Sequence, residues 1–275
     1  MKKYLKNIII FSFLISALSV QAEEKYPKLN ANLEYGFLGV LDHKIQFSQN
    51  NTYFDYVKDG GQRVLFPVAK LTANLEFNKE HSIVFLYQPL GIETQNTLEK
   101  DIMQDNVNFS KGTPMRFLYD FPFFRASYLY DFNKDHFDEL ALGLSLQIRN
   151  ANIEFESLDG SKLVSKKNIG PVPAIKFRSR NKLGESFWFG SEIDGFYAPI
   201  KYLNGSNNDV VGAILDANFK LGANLSEKYY PYINLRYIGG GGVGTSSEKY
   251  NLGDGYSNNW LHFMLVTLGM NISLN

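Results

Sequence analysis

The sequence predicts an all-β chain: a transmembrane antiparallel up-and-down β-barrel of about ten strands, with eight or twelve as alternatives. Three observations predict it: period-two alternation over long runs, links that alternate between short and long, and a 15% aromatic content with 17 Tyr and 22 Phe. The cleanest run is Val211 to Leu225, VGAILDANFKLGANL, whose odd positions are all apolar and whose even positions are mostly polar or glycine. Strand side chains alternate between two faces, so the run sorts almost completely as a strand and scatters as a helix. It exceeds the about 5–6 residues of an average soluble strand and covers the about 9–11 that a tilted strand needs to cross hydrocarbon.

The first 22 residues read separately. Lys2, Lys3 and Lys6 form a basic start, Ile8 to Val20 an apolar core, and Val20-Gln21-Ala22 a small-residue cleavage site. The core is short of the ~20 residues that a spanning helix needs, so a secretory signal peptide cleaved after Ala22 is expected. Residues 23–275 then form a single barrel domain, a size that one large β-barrel accommodates. Without the three signal lysines, 25 basic residues face 28 acidic ones, a formal −3. That balance leaves no strong positive field to argue for a nucleic-acid partner or an anionic surface, and no nucleic acid is expected. There is no cysteine, so neither disulfides nor thiolate metal sites contribute. No run after residue 22 is long and apolar enough for a membrane helix.

Ten segments alternate. The first, about 29–41, sets Leu29, Ala31, Leu33, Tyr35 and Phe37 against Asn30, Asn32 and Glu34. The second, about 63–77, opposes Leu65, Ala69, Leu71 and Leu75 to Lys70, Thr72, Asn74 and Glu76. The third, about 82–93, is apolar on both faces. The fourth, about 115–132, changes phase beside Pro122, which predicts a β-bulge. The fifth, about 139–156, is regular from Leu140 to Ile148 and slips after Asn150, where the strand is expected to leave the lipid. Strands six (about 170–181) and seven (about 185–202) carry basic and acidic residues on their polar faces, and the run at 211–225 is the eighth. The ninth covers about 229–241 and the tenth about 260–274.

Links after the even-numbered strands are short and polar, at 77–81, 132–136, 180–184 and 226–228. Those after the odd-numbered strands are longer, at about 42–62, 94–114, 157–169 and 244–259, with only 204–209 brief. On these patterns the chain resembles the Gram-negative outer-membrane β-barrel class over nearly all of residues 23–275. The resemblance implies an outer-membrane location among lipid and lipopolysaccharide, with periplasmic short turns and external long loops. In that class the last strand usually ends on an aromatic residue. Here Met270, Ile272 and Leu274 keep the alternation, but the final residue is Asn275.

By parity, the lumen receives Arg116, Asp120, Arg149, Lys176, Arg178, Arg180, Glu192, Asp194, Asp216, Lys220 and Arg236, together with Glu34, Lys70 and Glu76. Strand six is basic, seven acidic and eight mixed, so cross-strand pairs of opposite charge are in reach. Two readings stay open: an ion-pair network filling a narrow interior, or a charge-lined pore or pocket for small solutes. The mixed signs argue against an ion-selecting ring and for a plug or a zwitterionic solute.

A membrane-embedded hydrolase of lipid or lipopolysaccharide is a second possibility, and Asp42-His43 is its only placed acid–base pair. The serine-histidine and paired-aspartate motifs of outer-membrane phospholipases, lipid A deacylases and omptin proteases are not found. His81 and His136 fall in short turns, and His262 on the lipid-facing phase. The run Gly239 to Gly242 lacks the Lys-Ser/Thr of a phosphate loop and reads as a bend or a close approach. Glu99, Asp101, Asp105 and Asp254 do not match an EF-hand, so neither metal nor other cofactor is expected. The expected function is therefore a narrow channel or small-solute-binding barrel, with the hydrolase and an adhesive or structural surface barrel as alternatives. The sequence leaves the oligomeric state open.

Overall fold

The computed structural model describes residues 26–133, 138–199, 209–226, 228–245 and 254–274. The expected signal peptide, His136 and link positions 204–208 lie outside the described residues. The strands are β1 (Lys28–Phe47), β2 (Phe54–Asp55), β3 (Leu65–Glu76), β4 (His81–Gln88), β5 (Gly91–Thr97), β6 (Ile102–Gln104), β7 (Val107–Phe109) and β8 (Pro114–Asp120). They continue with β9 (Phe123–Asp131), β10 (Glu139–Ser157), β11 (Leu163–Leu183), β12 (Phe187–Pro199), β13 (Val211–Ala223), β14 (Tyr229–Thr245) and β15 (Tyr256–Ser273). β15 pairs with β1 and β10 with β11, so the antiparallel sheet closes on itself.

Ten staves make the barrel, because two of them are interrupted strands. β4 and β9 pair in the lower part of the wall, and β5 and β8 in the upper part. The breaks fall at Pro89-Leu90 and Phe121-Pro122, where a proline cannot donate to the ladder. The expected bulge at Pro122 is absent. Asp120↔Asn152 and Phe123↔Arg149 lie three residues apart on both strands, so the register does not slip. The bulge lies elsewhere, at Leu41, between Val40 and Asp42 of β1.

The outer surface carries a belt of exposed apolar residues. On β10 it runs over Leu140, Leu142, Leu144, Leu146 and Ile148, and on β1 it ends at Leu41. Nine residues, 140–148, match the about 9–11 of a membrane crossing. β10 has 19 residues and β11 has 21, so about half of each strand stands clear of the belt at the long-loop end. There the faces exchange chemistry without any change of parity. On β10, Ala151, Ile153 and Phe155 stay inward and buried, while Asn150, Glu154 and Glu156 face out. What reads as a phase slip after Asn150 is therefore the strand leaving lipid: water covers its outside, and an apolar core fills its inside.

The first long link does not extend outward. β2 pairs with β1 through Lys44↔Asp55 and Ile45↔Phe54, which carries Phe54 and Tyr56 into the barrel mouth as fully buried rings. The β6–β7 hairpin locks against it. Thr52 N–H donates to the Met103 carbonyl, and Met103 N–H donates to Thr52 Oγ1, each at 2.9 Å.

The glycine run lies inside β14 rather than in a bend. Gly241 has φ +159°, and a Cβ there would sit 1.8 Å from the Asn259 carbonyl oxygen of β15. The neighbouring strand comes as close as glycine alone permits. Gly241→Ala is therefore expected to cost about 1–3 kcal/mol, lowering the temperature at which the compact barrel is lost on unboiled gels. Gly39→Ala, whose Cβ would meet only ordinary contacts at 3.5 Å or more, should leave that temperature unchanged.

Candidate functional site

The inner face of the belt region is a buried network of charges. Asp216 lies on β13 and receives Arg236 from β14, with Nε at 2.7 Å and Nη2 at 2.8 Å. Arg125 of β9 reaches across the barrel to bridge Asp194 at 2.7 Å and Asp216 at 2.9 Å. Lys176 of β11 pairs with Asp194 at 2.8 Å and with Glu192. Neutral amides complete the shell: Gln147 accepts from Arg125, and Gln88 accepts from Arg236. One turn of the wall lower, Glu34 of β1 binds Lys70 at 2.7 Å and accepts from Tyr232, Asn234 and Thr267.

This arrangement closes the lumen. Leu38, Val68, Gln88, Arg125 and Gln147 line one half of it, and Lys176, Asp194, Asp216, Arg236 and Leu265 the other. All ten staves contribute one residue, and none of these is more than 5% exposed. A water-filled passage would leave at least some of them wet.

Above the charges, the interior is apolar and aromatic. His43 stacks on Tyr56 at 4.3 Å and meets Tyr119 and Phe263 edge-on. Its Nδ1 is 2.8 Å from Gln62 Oε1. His43 lies beyond the belt, and burial pushes its imidazole down to about 4, so the ring is neutral. Below the charges, a polar vestibule opens at the short-turn end. It has a volume of about 100 Å³ and is lined by Glu76, Glu139, Arg178, Arg180 and Lys220, with Trp188 and Tyr232 on its wall. Arg178 donates to Glu139 at 2.6 Å and to Asn74 and Ser82 at 3.3 Å.

Of the residues assigned to the lumen by parity, Lys176, Glu192, Asp194, Asp216, Lys220 and Arg236 meet in the buried network. Arg178 and Arg180 line the vestibule. Arg149 faces inward but lies outside this network, donating to Asn168 and lying over the Phe121 ring. Arg116 and Asp120 lie on the outer face instead, above the belt. There Arg116 binds Glu154 at 2.7 Å, Glu156 at 2.6 Å and Glu93 at 3.1 Å. The Asn152 amide and Arg116 hold the Glu154 carboxyl below the usual carboxylate range. The assignment fails for both because, clear of the membrane, the apolar face of β8 is the inner one. Arg125 is missing from the parity list, although the outward Phe124 beside it places it in the lumen.

Asp42 and His43 do not form an acid–base pair. They point to opposite faces, and Asp42 binds Lys44 at 2.7 Å on the outside while His43 is sealed in the core. His262 faces out and bonds Tyr237. His81 bonds Tyr128 at the short-turn end.

No protein-family model matches the sequence, and no curated protein matches it. Among solved structures, the outer-membrane protease OmpT from Escherichia coli is similar with TM-score 0.53 and 12% identity, over 94% of this chain and 100% of that one. A FadL homologue from Pseudomonas aeruginosa gives 0.39 and 8%, over 90% and 91% of the two chains. The attachment protein Ail of Yersinia pestis gives 0.37 and 9%, over 89% and 99%. The likeness to the protease shows the fold alone. That fold is the closed antiparallel barrel of the outer-membrane class.

Removing one partner of a buried ion pair strands the other, at a cost of about 3–5 kcal/mol. Arg236→Met should destabilise the barrel by that order in urea unfolding from lipid vesicles. Lys220→Met, beside the wetter vestibule, should cost less. Equal and small effects would contradict the buried network.

Proposed function

We propose that the chain is an integral outer-membrane barrel that passes no solute in this closed form and acts through its external sheet, as an adhesive or structural surface protein. The observation that carries the reading is the continuous filling of the interior. The ten-residue closure in the belt is followed outward by the packed core of Phe54, Tyr56, Phe117, Tyr119 and Phe155. A static pore needs an open path, and a groove for catalysis needs exposed polar groups on that inner face. In place of either, β5, β8 and the upper halves of β10 and β11 form a wall with an apolar core and a polar exterior. Loops held on such a scaffold suit binding.

A second reading, binding of a small polar solute from the periplasm, has one observation in its favour. Trp188 lines the vestibule wall, and its Nε1 is buried without a hydrogen-bond partner. A solute acceptor there would quench or shift Trp188 fluorescence in a saturable way. Glu192→Ala should abolish the change, and a linear response would contradict it.

For the surface reading, planar-bilayer conductance should stay at background for the intact barrel. It should also stay there after residues 50–61 are replaced by a short linker, because the charged layer closes the lumen without the loop. Steady openings in either would sink the proposal. Adhesion of cells displaying the protein should fall when Asp159 to Lys162, the tip of the β10–β11 hairpin, is replaced by glycines. Binding equal to that of cells lacking the protein would remove the adhesive role.

A further inference from the structure

Two features of the wall between β11 and β12 take no part in closing the interior. The first is the end of their ladder. It stops at Ile175↔Gly195, yet β11 extends to Leu163 and β12 to Pro199. Over 163–174, β11 pairs with β10 alone among the described residues. Pro171 and Pro173 stand on this stretch. The β10–β11 ladder passes unbroken through both, so the missing N–H groups belong to the opposite edge, which faces β12. Their register partners are Ile148 and Leu146, so this part of the edge, unpaired with β12 among the described residues, lies at the depth of the apolar belt. Unpaired donors are poorly tolerated in hydrocarbon, and the two prolines remove them there.

The second feature is Arg149. It extends across Gly170 of β11, where a Cβ would lie 3.9 Å from its Nε. The guanidinium thus reaches across β11 toward the edge that β12 leaves unpaired among the described residues, donates to Asn168 Oδ1 at 3.1 Å and lies 5.9 Å from the Phe121 ring centroid. Its Nε is buried with no hydrogen-bond partner. Arg125, Arg178 and Arg236 each have a carboxylate at 2.6–2.9 Å. Among the described residues, Arg149 has none. A largely buried cation without an anion is unfavourable until one reaches it.

We propose that the β11–β12 seam binds an anionic amphiphile, a lipid whose phosphate or carboxylate pairs with Arg149. The route of approach selects the ligand. Charges close the lumen on the periplasmic side and the aromatic core closes it on the outer side, so the seam is entered from the lipid. The acyl chain lies along the wall against Ile175 and Tyr197, which are 61% and 72% exposed on the two sides of the seam. The proposal rests on the belt lying in a membrane and not on any surface-binding role, so a failed adhesion assay does not touch it.

The test is native mass spectrometry of the whole barrel released from maltoside micelles, with phosphatidylglycerol, phosphatidylcholine or inorganic phosphate added. Phosphatidylglycerol should be retained at least tenfold over phosphatidylcholine. Arg149→Gln should lose that preference, and Arg116→Gln, on the distant outer face, should keep it. Equal retention of the two lipids, or a preference that survives Arg149→Gln, overturns the proposal. So does displacement of the lipid by equimolar inorganic phosphate, which would mark a site for a soluble anion. A measurement independent of Arg149 uses Tyr197→Trp: brominated phosphatidylglycerol should quench the added fluorescence more strongly than brominated phosphatidylcholine. Equal quenching by the two also overturns it.

Discussion

A carboxylate taken out of water must be met by cations and donors, and that constraint organises the barrel. Asp216 is held by two arginines from different parts of the wall, and Asp194 by an arginine and a lysine. Because Arg125 bridges both carboxylates, staves far apart in sequence are tied through one guanidinium. A half-satisfied network would be worse than an apolar core. The amides of Gln88 and Gln147, and that of Asn218, which donates to Asp216 at 3.1 Å, are therefore as much part of the closure as the charges. The lumen is blocked as a by-product of satisfying these groups.

The outer half solves the same problem by other means. With water outside and no lipid to face, the wall turns its apolar residues inward, and the first link folds back to fill the space. Phe54 and Tyr56 supply the filling, and His43 is accepted among them as a neutral ring bonded to Gln62. Burying Phe54 is worth roughly 1.5–3 kcal/mol, enough to hold a short link in place. Closed below by charge and above by aromatic packing, the interior leaves no open path through the described residues.

Strand number, pairing order and the lumen face of β11 to β14 were legible in the sequence because lipid imposes one rule there, apolar outside. Val211 to Leu225 obeys it at every position, and Asp216 and Lys220 point where parity puts them. The rule ends where the membrane ends. Arg116 and Asp120 lie opposite to their parity assignment because the apolar face of β8 is its inner face, and the inversion at Pro122 imitates a bulge. The bulge at Leu41 left no signal of its own, since Val40, Leu41 and Ile45 are all apolar. Nor does alternation reveal which inward residue lacks a partner. The isolation of Arg149 depends on Gly170 beneath it and on where the β12 ladder stops, which are facts of three-dimensional pairing.

The belt-level interior is dry and closed, and a chain with no native cysteine allows a direct test. Ser145 lies in the Asp194 layer and is 5% exposed. In the folded, membrane-inserted barrel, Ser145→Cys should resist a small water-soluble maleimide applied from both sides, and react fully once the protein is unfolded in urea. Rapid labelling of the folded barrel at Ser145→Cys would contradict the account, because it requires a water path through the charged layer.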